Sequence, residues 1–563
     1  MATSTTTATA TSSWESAVAA KQQSCRDKLP KEWLLPSSIL QTLQTPLEDH
    51  PNRVNDMDIP RKSGILTEKE LDITEKYNVA QLLSKLKSGE FSALDVTLAF
   101  SKRAAIAQQL LSCLTETYFP EAQDRAKFLD NERAQGRIVG PLHGLPISVK
   151  DGFHVAGSDA SIGFVSFLSR PLSEKNSPLV DILLELGAVI YVKTNLPQTL
   201  MTADSHNNIF GRTLNPVNTN VTAGGSSGGE GALMGFRGSP LGIGTDIAGS
   251  IRIPSLCCGT YGFKPSTCRV PDGGQSSPSL SGMDFFKPSA GPLANDVHAL
   301  NTLCSSVMSV RPALYDSTAL DVPWLDLSAS PGPEKLRIGV VSEDPSFPLH
   351  PPVKRALAEA VRLLEAQGHY IHKISAPTAH VADALAIAFA YFFLDDTAPQ
   401  HIEASGEPLV PSVKQSMGAF HAFKNSFLDD MAHLEGVKRV AALNVKRNII
   451  MDEWRSLWKE QKLDVVIGPS AQHTAVPHDT YGLPPYTLFL NVLDYPACVI
   501  PFGKSSSKLD PEPLVMGPGQ CGPNYEPERM DNLPTSVQVF TNRMRDEECL
   551  KYAAIIDGIL NPQ

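Results

Sequence analysis

Apolar positions first fall into a helical rhythm near Asn78, where Val79, Leu82, Leu83 and Leu86 share one face and Gly89 closes the segment. Ser92 and Asp95 then have the spacing of a capping box, which predicts a second helix through "ALDVTLAFSKRAAIAQQLL". The period changes at "LPISVK" (Leu145–Lys150) and "AVIYVK" (Ala188–Lys193), short apolar runs that read as buried strands. Between them "SPLVDILLELG" is an amphipathic helix ending at Gly187. "LRIGVV" (Leu336–Val341), a helix from Val353 to Gln367 and "LDVVIGPS" (Leu463–Ser470) continue the alternation. The pattern predicts an α/β fold whose sheet is covered on its faces.

Residues 1–75 are polar and interrupted by proline, with short helical patches such as Ser13–Leu29. They read as an N-terminal extension that wraps the body or stays partly mobile, and residues 76–563 read as the catalytic domain. "SSSKLDPEP" and "GPGQCGPNYEPER" are expected surface loops, and no internal repeat is present. The apolar run Ala384–Leu394 is too short for a bilayer span of about 20 residues and reads as a buried core helix.

Composition narrows the class. A formal net charge of −11 and the lack of a basic stripe argue against a nucleic-acid partner. Nine cysteines, an odd number without CxxC spacing, point to a reduced, cytoplasmic chain. The opening "MATSTTTATATSSW" lacks the basic and apolar regions of a secretory signal.

The candidate chemistry lies in "VTAGGSSGGEGAL" (Val221–Leu233), which packs five glycines around a serine pair. A linker would be polar on both sides, whereas this segment runs into the apolar "GALMGF". A phosphate loop would need Lys-Ser/Thr after its last glycine, where this chain has Glu230. Gly224-x-Ser226-x-Gly228 spells a nucleophile elbow, but "NPVNTNVTA" before it is a loop rather than the strand that elbow requires. A serine can also be activated by lysine, provided burial lowers the amine's ordinary pKa of about 10.4. Lys150 and Lys193 both end apolar strands, and local pattern does not choose between them. "GIGTDIAGSIRIPS" (Gly242–Ser255) adds small residues before Ser250, so backbone N–H groups can converge as an oxyanion hole requires. Asp246 and Arg252 flank that loop and are expected to brace it. His473-x4-His478 is too weak a pattern for zinc.

Taken together, "GGSSGGEGALMGFRGSPLGIGTDIAGSIRIPSLCCGTYGFKPS", "GPLHGLPISVKDGFHVAG", "AGPLANDVHAL" and "LNVLDYPACVIP" resemble the amidase signature hydrolases, with a style similar to fungal acetamidase-like general amidases. The resemblance covers roughly Asn78 to the C-terminus. It implies one large twisted mixed β-sheet with helices on both faces. It also implies a Ser-cisSer-Lys triad: Ser250 as nucleophile, Ser226 on a cis peptide as bridge, and Lys150 as base. Only this carry-over prefers Lys150 to Lys193. The backbone N–H groups of Ile247, Ala248, Gly249 and Ser250 map to the oxyanion hole, and Ser227 to the supporting network. The implied reaction is hydrolysis of a small-molecule carboxylic amide through an acyl-enzyme, with no metal or organic cofactor. Substrate-pocket walls are expected around 381–448 and 474–486, and homodimerisation rests on family analogy alone.

Two positions depart from the family pattern. Ala248 stands where glycine is usual, and Asn295 where arginine is common. If position 248 needs a positive φ, alanine strains the hole. Two rival functions therefore stay open: an amidotransferase-type subunit that releases ammonia from glutamine, and an amidase-like binding protein without turnover. The acyl class, whether short aliphatic, aryl or fatty, is not legible.

Overall fold

A computed structural model describes residues 13–283, 286–327, 330 and 332–562; the Ser/Thr/Ala tract of residues 1–12 lies outside them. An 11-stranded sheet organises the described residues. From edge to edge its order is Leu114–Thr117, Val189–Thr194, Pro146–Lys150, Leu241–Asp246, Ser289–Ala294, Tyr261–Lys264, Ala497–Lys504, Pro534–Phe540, Val465–Pro469, Arg337–Val341 and Tyr370–Ile374. The sheet is mixed. Pro146–Lys150 runs parallel to both its neighbours, Lys150 pairing with Thr194 and Ser148 with Gly242. The central strands pair antiparallel, as Leu241–Asp246 does with Ser289–Ala294.

Helices cover both faces, and local chemistry sets their ends. Asn78 caps Val79–Ser88 in a capping box with Gln81, and Gly89 ends it at φ +79°. Ser92 and Asp95 form the expected box at the start of Ala93–Leu111. Pro178–Glu185 links the strands Pro146–Lys150 and Val189–Thr194, both buried along their whole length. Full burial explains why those strands read as unbroken apolar runs. The strand Leu241–Asp246 was not foreseen, because "LGIGTD" carries two glycines that weaken strand propensity. Crowding explains Gly242: a Cβ there would collide with the Glu230 carboxylate and lie 2.7 Å from the Ser148 hydroxyl.

The N-terminal extension is structural where it is described. Helix Ser13–Asp27 docks through Lys21, which is paired with Glu116 and Asp159. Trp33, Leu35, Ile39, Val54 and Ile59 are buried in the same core as the sheet. A second core lies under the helices Val381–Phe392, Gly436–Gln461 and Pro485–Leu493, with Trp454 at its centre. Among the described residues, no single helix is long and apolar enough to cross a membrane.

Trp33 packs edge-on against Phe119 with ring centroids 5.1 Å apart, joining the extension to the helix Phe119–Ala134. Trp33→Ala should therefore cost about 3–5 kcal/mol. A thermal melt showing an unchanged midpoint would mean that the extension is not part of the folding unit.

Candidate active site

The glycine-serine segment is buried throughout, and close packing dictates its composition. Residues 215–223 lead into it as loop, so the elbow geometry is absent. Gly224 has φ +82° and abuts Pro254. The Gly225–Ser226 peptide is cis. Helix Gly228–Gly235 starts immediately afterwards, and a Cβ at Gly229 would overlap backbone atoms of Asn195 and Cys113. The glycines thus let a helix start approach the sheet more closely than side chains would permit.

Lys150 ends its strand beneath this segment. Its Nζ is hydrogen-bonded to Ser226 Oγ at 2.7 Å and to Thr245 Oγ1 at 2.9 Å. Lys150 is 1 % exposed and Ser226 3 %. Burial brings the ammonium pKa down to about 7, against the opposing pull of Asp246, Asp272 and Glu230. Burial also raises Glu230 to about 7, although Ser148 and Thr194 hydrogen-bond its carboxylate. Lys193 has other partners: its Nζ donates to the Asp159 carbonyl at 2.6 Å and lies 3.3 Å from Asp151.

Ser250 sits at the turn before the helix Arg252–Cys258, 7 % exposed. Its carbonyl accepts from the Ser227 N–H at 3.1 Å, so the two serine-bearing loops are joined through the backbone. Ser227 Oγ lies 3.4 Å from both the N–H and the carbonyl of Thr245. A direct Ser226–Ser250 hydroxyl hydrogen bond is not among those of the described residues.

The Asp246–Arg252 brace forms as two contacts, at 2.9 and 3.0 Å, between wholly buried side chains. Burial would raise the Asp246 pKa, but the Arg252 charge and hydrogen bonds override it and hold the carboxyl well below the usual carboxylate range. Asp246 also accepts from the Gly249 N–H at 2.8 Å, which commits one of the four N–H groups expected to face substrate. No hydrogen bond among the described residues takes up those of Ile247, Ala248 and Ser250. The positive φ in this loop falls on Gly249, at +128°, and Ala248 is not among the residues with positive φ. Alanine at 248 therefore carries no left-handed strain. Asn295, the second departure, donates to the Met234 carbonyl at 3.2 Å.

A cavity of about 30 Å³ opens beside Ser250 and Ala248, walled by Phe389, Phe392, Leu483 and Pro484. Residues of both 381–448 and 474–486 line it. A larger groove of about 1090 Å³, between the helices Val297–Ser309 and Asp546–Leu560, carries none of the candidate residues. His473 and His478 face backbone carbonyls of Thr474, Tyr481 and Thr219. Sequence reasoning missed Thr245, Thr487 and Asn491. Thr487 Oγ1 donates to the Ala248 carbonyl at 2.7 Å, and Asn491 hydrogen-bonds both Asp246 and Arg252. The "GTD" of the signature could have pointed to Thr245; the other two come from a helix more than 230 residues downstream, visible only in three dimensions.

This sheet, with a buried lysine-serine pair beside a small cavity, has the architecture of the amidase signature hydrolases. The Amidase family model matches residues 95–550. An amidase of Gibberella moniliformis is 38 % identical, covering 97 % of this chain and 99 % of its own. An acetamidase of Emericella nidulans is 37 % identical over 97 % of this chain and 98 % of its own. The solved structure of a fatty acid amide hydrolase superposes with a TM-score of 0.86 at 29 % identity, covering 98 % of this chain and 95 % of that one. The chain belongs to the amidase signature family: it is a hydrolase that acts on amides.

Removing one member of the buried brace leaves the other charge uncompensated. Arg252→Met should destabilise the protein by about 3–5 kcal/mol, read as a lower thermal midpoint. Gly229→Ala should also destabilise, by about 1–3 kcal/mol through overpacking. Gly418→Ala, on an exposed helix position with nothing within 4 Å of the new Cβ, should be neutral or stabilising. Equal melting of the two glycine variants would contradict the packing account of the signature segment.

Proposed function

We propose that the chain hydrolyses a carboxylic amide through an acyl-enzyme on Ser250, with Ser226 and Lys150 as the proton relay. The observation that carries this reading is the buried amine of Lys150, 2.7 Å from Ser226 Oγ in a loop joined to Ser250. Neutral Lys150 takes the Ser226 proton while Ser226 Oγ takes that of Ser250. Ser250 Oγ then bonds to the amide carbon, and the carbonyl π electrons move to oxygen. The N–H groups of Ile247, Ala248 and Ser250, which no hydrogen bond among the described residues takes up, donate to that oxygen. As the tetrahedral intermediate collapses the C–N bond breaks, and the relay returns its proton to the leaving nitrogen. Water then attacks the ester by the same sequence and releases the acid and free Ser250. Thr245 Oγ1, the second neighbour of Lys150 Nζ, holds the amine's orientation.

Nothing in this scheme requires a partner subunit, and the unstrained Ala248 removes the argument for a binding protein without turnover. The Emericella nidulans relative, described as an acetamidase, supports a simple carboxamide as substrate. All nine cysteines are unpaired, which supports a reducing, cytoplasmic setting.

The first test is labelling by a small fluorophosphonate with peptide mapping. The adduct is expected on Ser250, lost in Ser250→Ala and slowed in Lys150→Ala; an adduct on another residue overturns the assignment. The pH profile is the second test. Activity needs neutral Lys150, so kcat/KM should fall as pH drops below about 7. Anionic Glu230 pulls the Lys150 pKa upward, so Glu230→Gln should move that acid limb to lower pH. A limb moved to higher pH by this change would contradict Lys150 as its origin.

A further inference from the structure

The cavity beside Ser250 is small enough to select substrate. Its volume of about 30 Å³ holds about two water-sized groups, at roughly 10–15 Å³ each. Phe389 and Phe392 close one side of it, carried on the last turn of helix Val381–Phe392. Both rings pack against further aromatic side chains. Phe420 stacks on Phe389 with centroids 4.4 Å apart and planes 20° from parallel. Phe392 meets Phe389 edge-on at 5.7 Å and Phe286 edge-on at 5.4 Å, so each ring is held in a favourable aromatic contact. Leu483 and Pro484 precede the helix Pro485–Leu493, which Thr487 and Asn491 fasten to the Ala248 and Asp246 loop.

We infer that Phe389 and Phe392 are the specificity-determining residues of this site. They limit its acyl group to a short unbranched chain, so that the substrates are amides of the acetamide and propionamide class. This inference rests on the acyl-enzyme reading above. Added methylenes meet rings backed by other rings, and excess volume in a close-packed site forces strain rather than accommodation. Fatty and aryl acyl groups are therefore excluded by the wall, while the reacting groups at Ser250 are the same for all of them.

The test is kcat/KM of the full chain for acetamide, propionamide, butyramide, hexanamide and benzamide. Wild type should lose about ten-fold or more per methylene beyond propionamide. Phe389→Ala and Phe392→Ala should each raise the hexanamide-to-acetamide ratio by about ten-fold. Phe389→Leu, a milder truncation, should give a smaller rise and guards against a folding defect in the alanine variants. Phe420→Ala, which removes the backing ring outside the cavity, should also raise the ratio. Wild type using hexanamide as well as acetamide would overturn the inference, as would ratios unchanged in all four variants. Failure of the parent reading looks different: no amide is turned over and Ser250 takes no fluorophosphonate adduct, and then the size gate falls with it.

Discussion

The site depends on keeping the Lys150 amine out of water. An exposed lysine is protonated near neutrality and cannot accept a proton, so the proposed base exists only because its strand is buried on both faces. Burial alone would not suffice if a neighbouring carboxylate restored the charge. Three acidic groups pull the ammonium upward, and each is restrained in its own way. Asp246 is committed to Arg252 and to backbone donors. Glu230 and Asp272 are raised to about 7 by the same desolvation that lowers the lysine, so neither is fully ionised at neutral pH and their pull on the ammonium is weakened. The chemistry is therefore a property of the whole buried layer, and the local sequence around Lys150 could not reveal it.

That requirement explains the composition of the signature segment. A buried lysine must meet its serine without admitting solvent, so the serine loop has to lie almost on the sheet. Side chains would hold it away, which is why Gly229 faces backbone on both sides and Gly242 faces the Glu230 carboxylate. The segment gives up backbone entropy and helix propensity in return for close approach. Its start is also fixed from outside: Ser205 Oγ accepts from the Gly228 N–H at 3.1 Å.

Much of the frame was legible in the linear pattern, and the failures share a cause. Val79–Ser88, Ala93–Leu111 and the strands ending at Lys150 and Thr194 obey local rules: caps at their ends and apolar continuity within. The strand Leu241–Asp246 breaks those rules because its glycines answer to packing, not propensity. Likewise the family resemblance names Ile247, Ala248, Gly249 and Ser250 as one loop, but the commitment of the Gly249 N–H to Asp246 is a tertiary fact. Lys150 and Lys193 differ only in their neighbours. One meets serine and threonine hydroxyls, the other a carbonyl and a carboxylate, and both sets come from distant segments.

The two walls of the cavity are not equivalent. Helix Pro485–Leu493 is fastened to the oxyanion-side loop by Thr487, by Asn491 and by Arg252, which donates to the Thr487 carbonyl at 2.8 Å. Movement of Leu483 or Pro484 would therefore be transmitted to Ala248 and Gly249 and disturb the N–H groups proposed to stabilise charge. Helix Val381–Phe392 packs on the helix Pro485–Leu493 within one core, but the aromatic neighbours of Phe389 and Phe392 at its end are Phe286, Phe393 and Phe420. Truncating Phe389 or Phe392 at the end of that helix removes ring contacts and no hydrogen bond to the serine-bearing loops. On the proposed reading, acyl selection rests on side chains that make no hydrogen bond to the serine-bearing loops, and new substrate ranges are most readily reached through the helix end that carries Phe389 and Phe392.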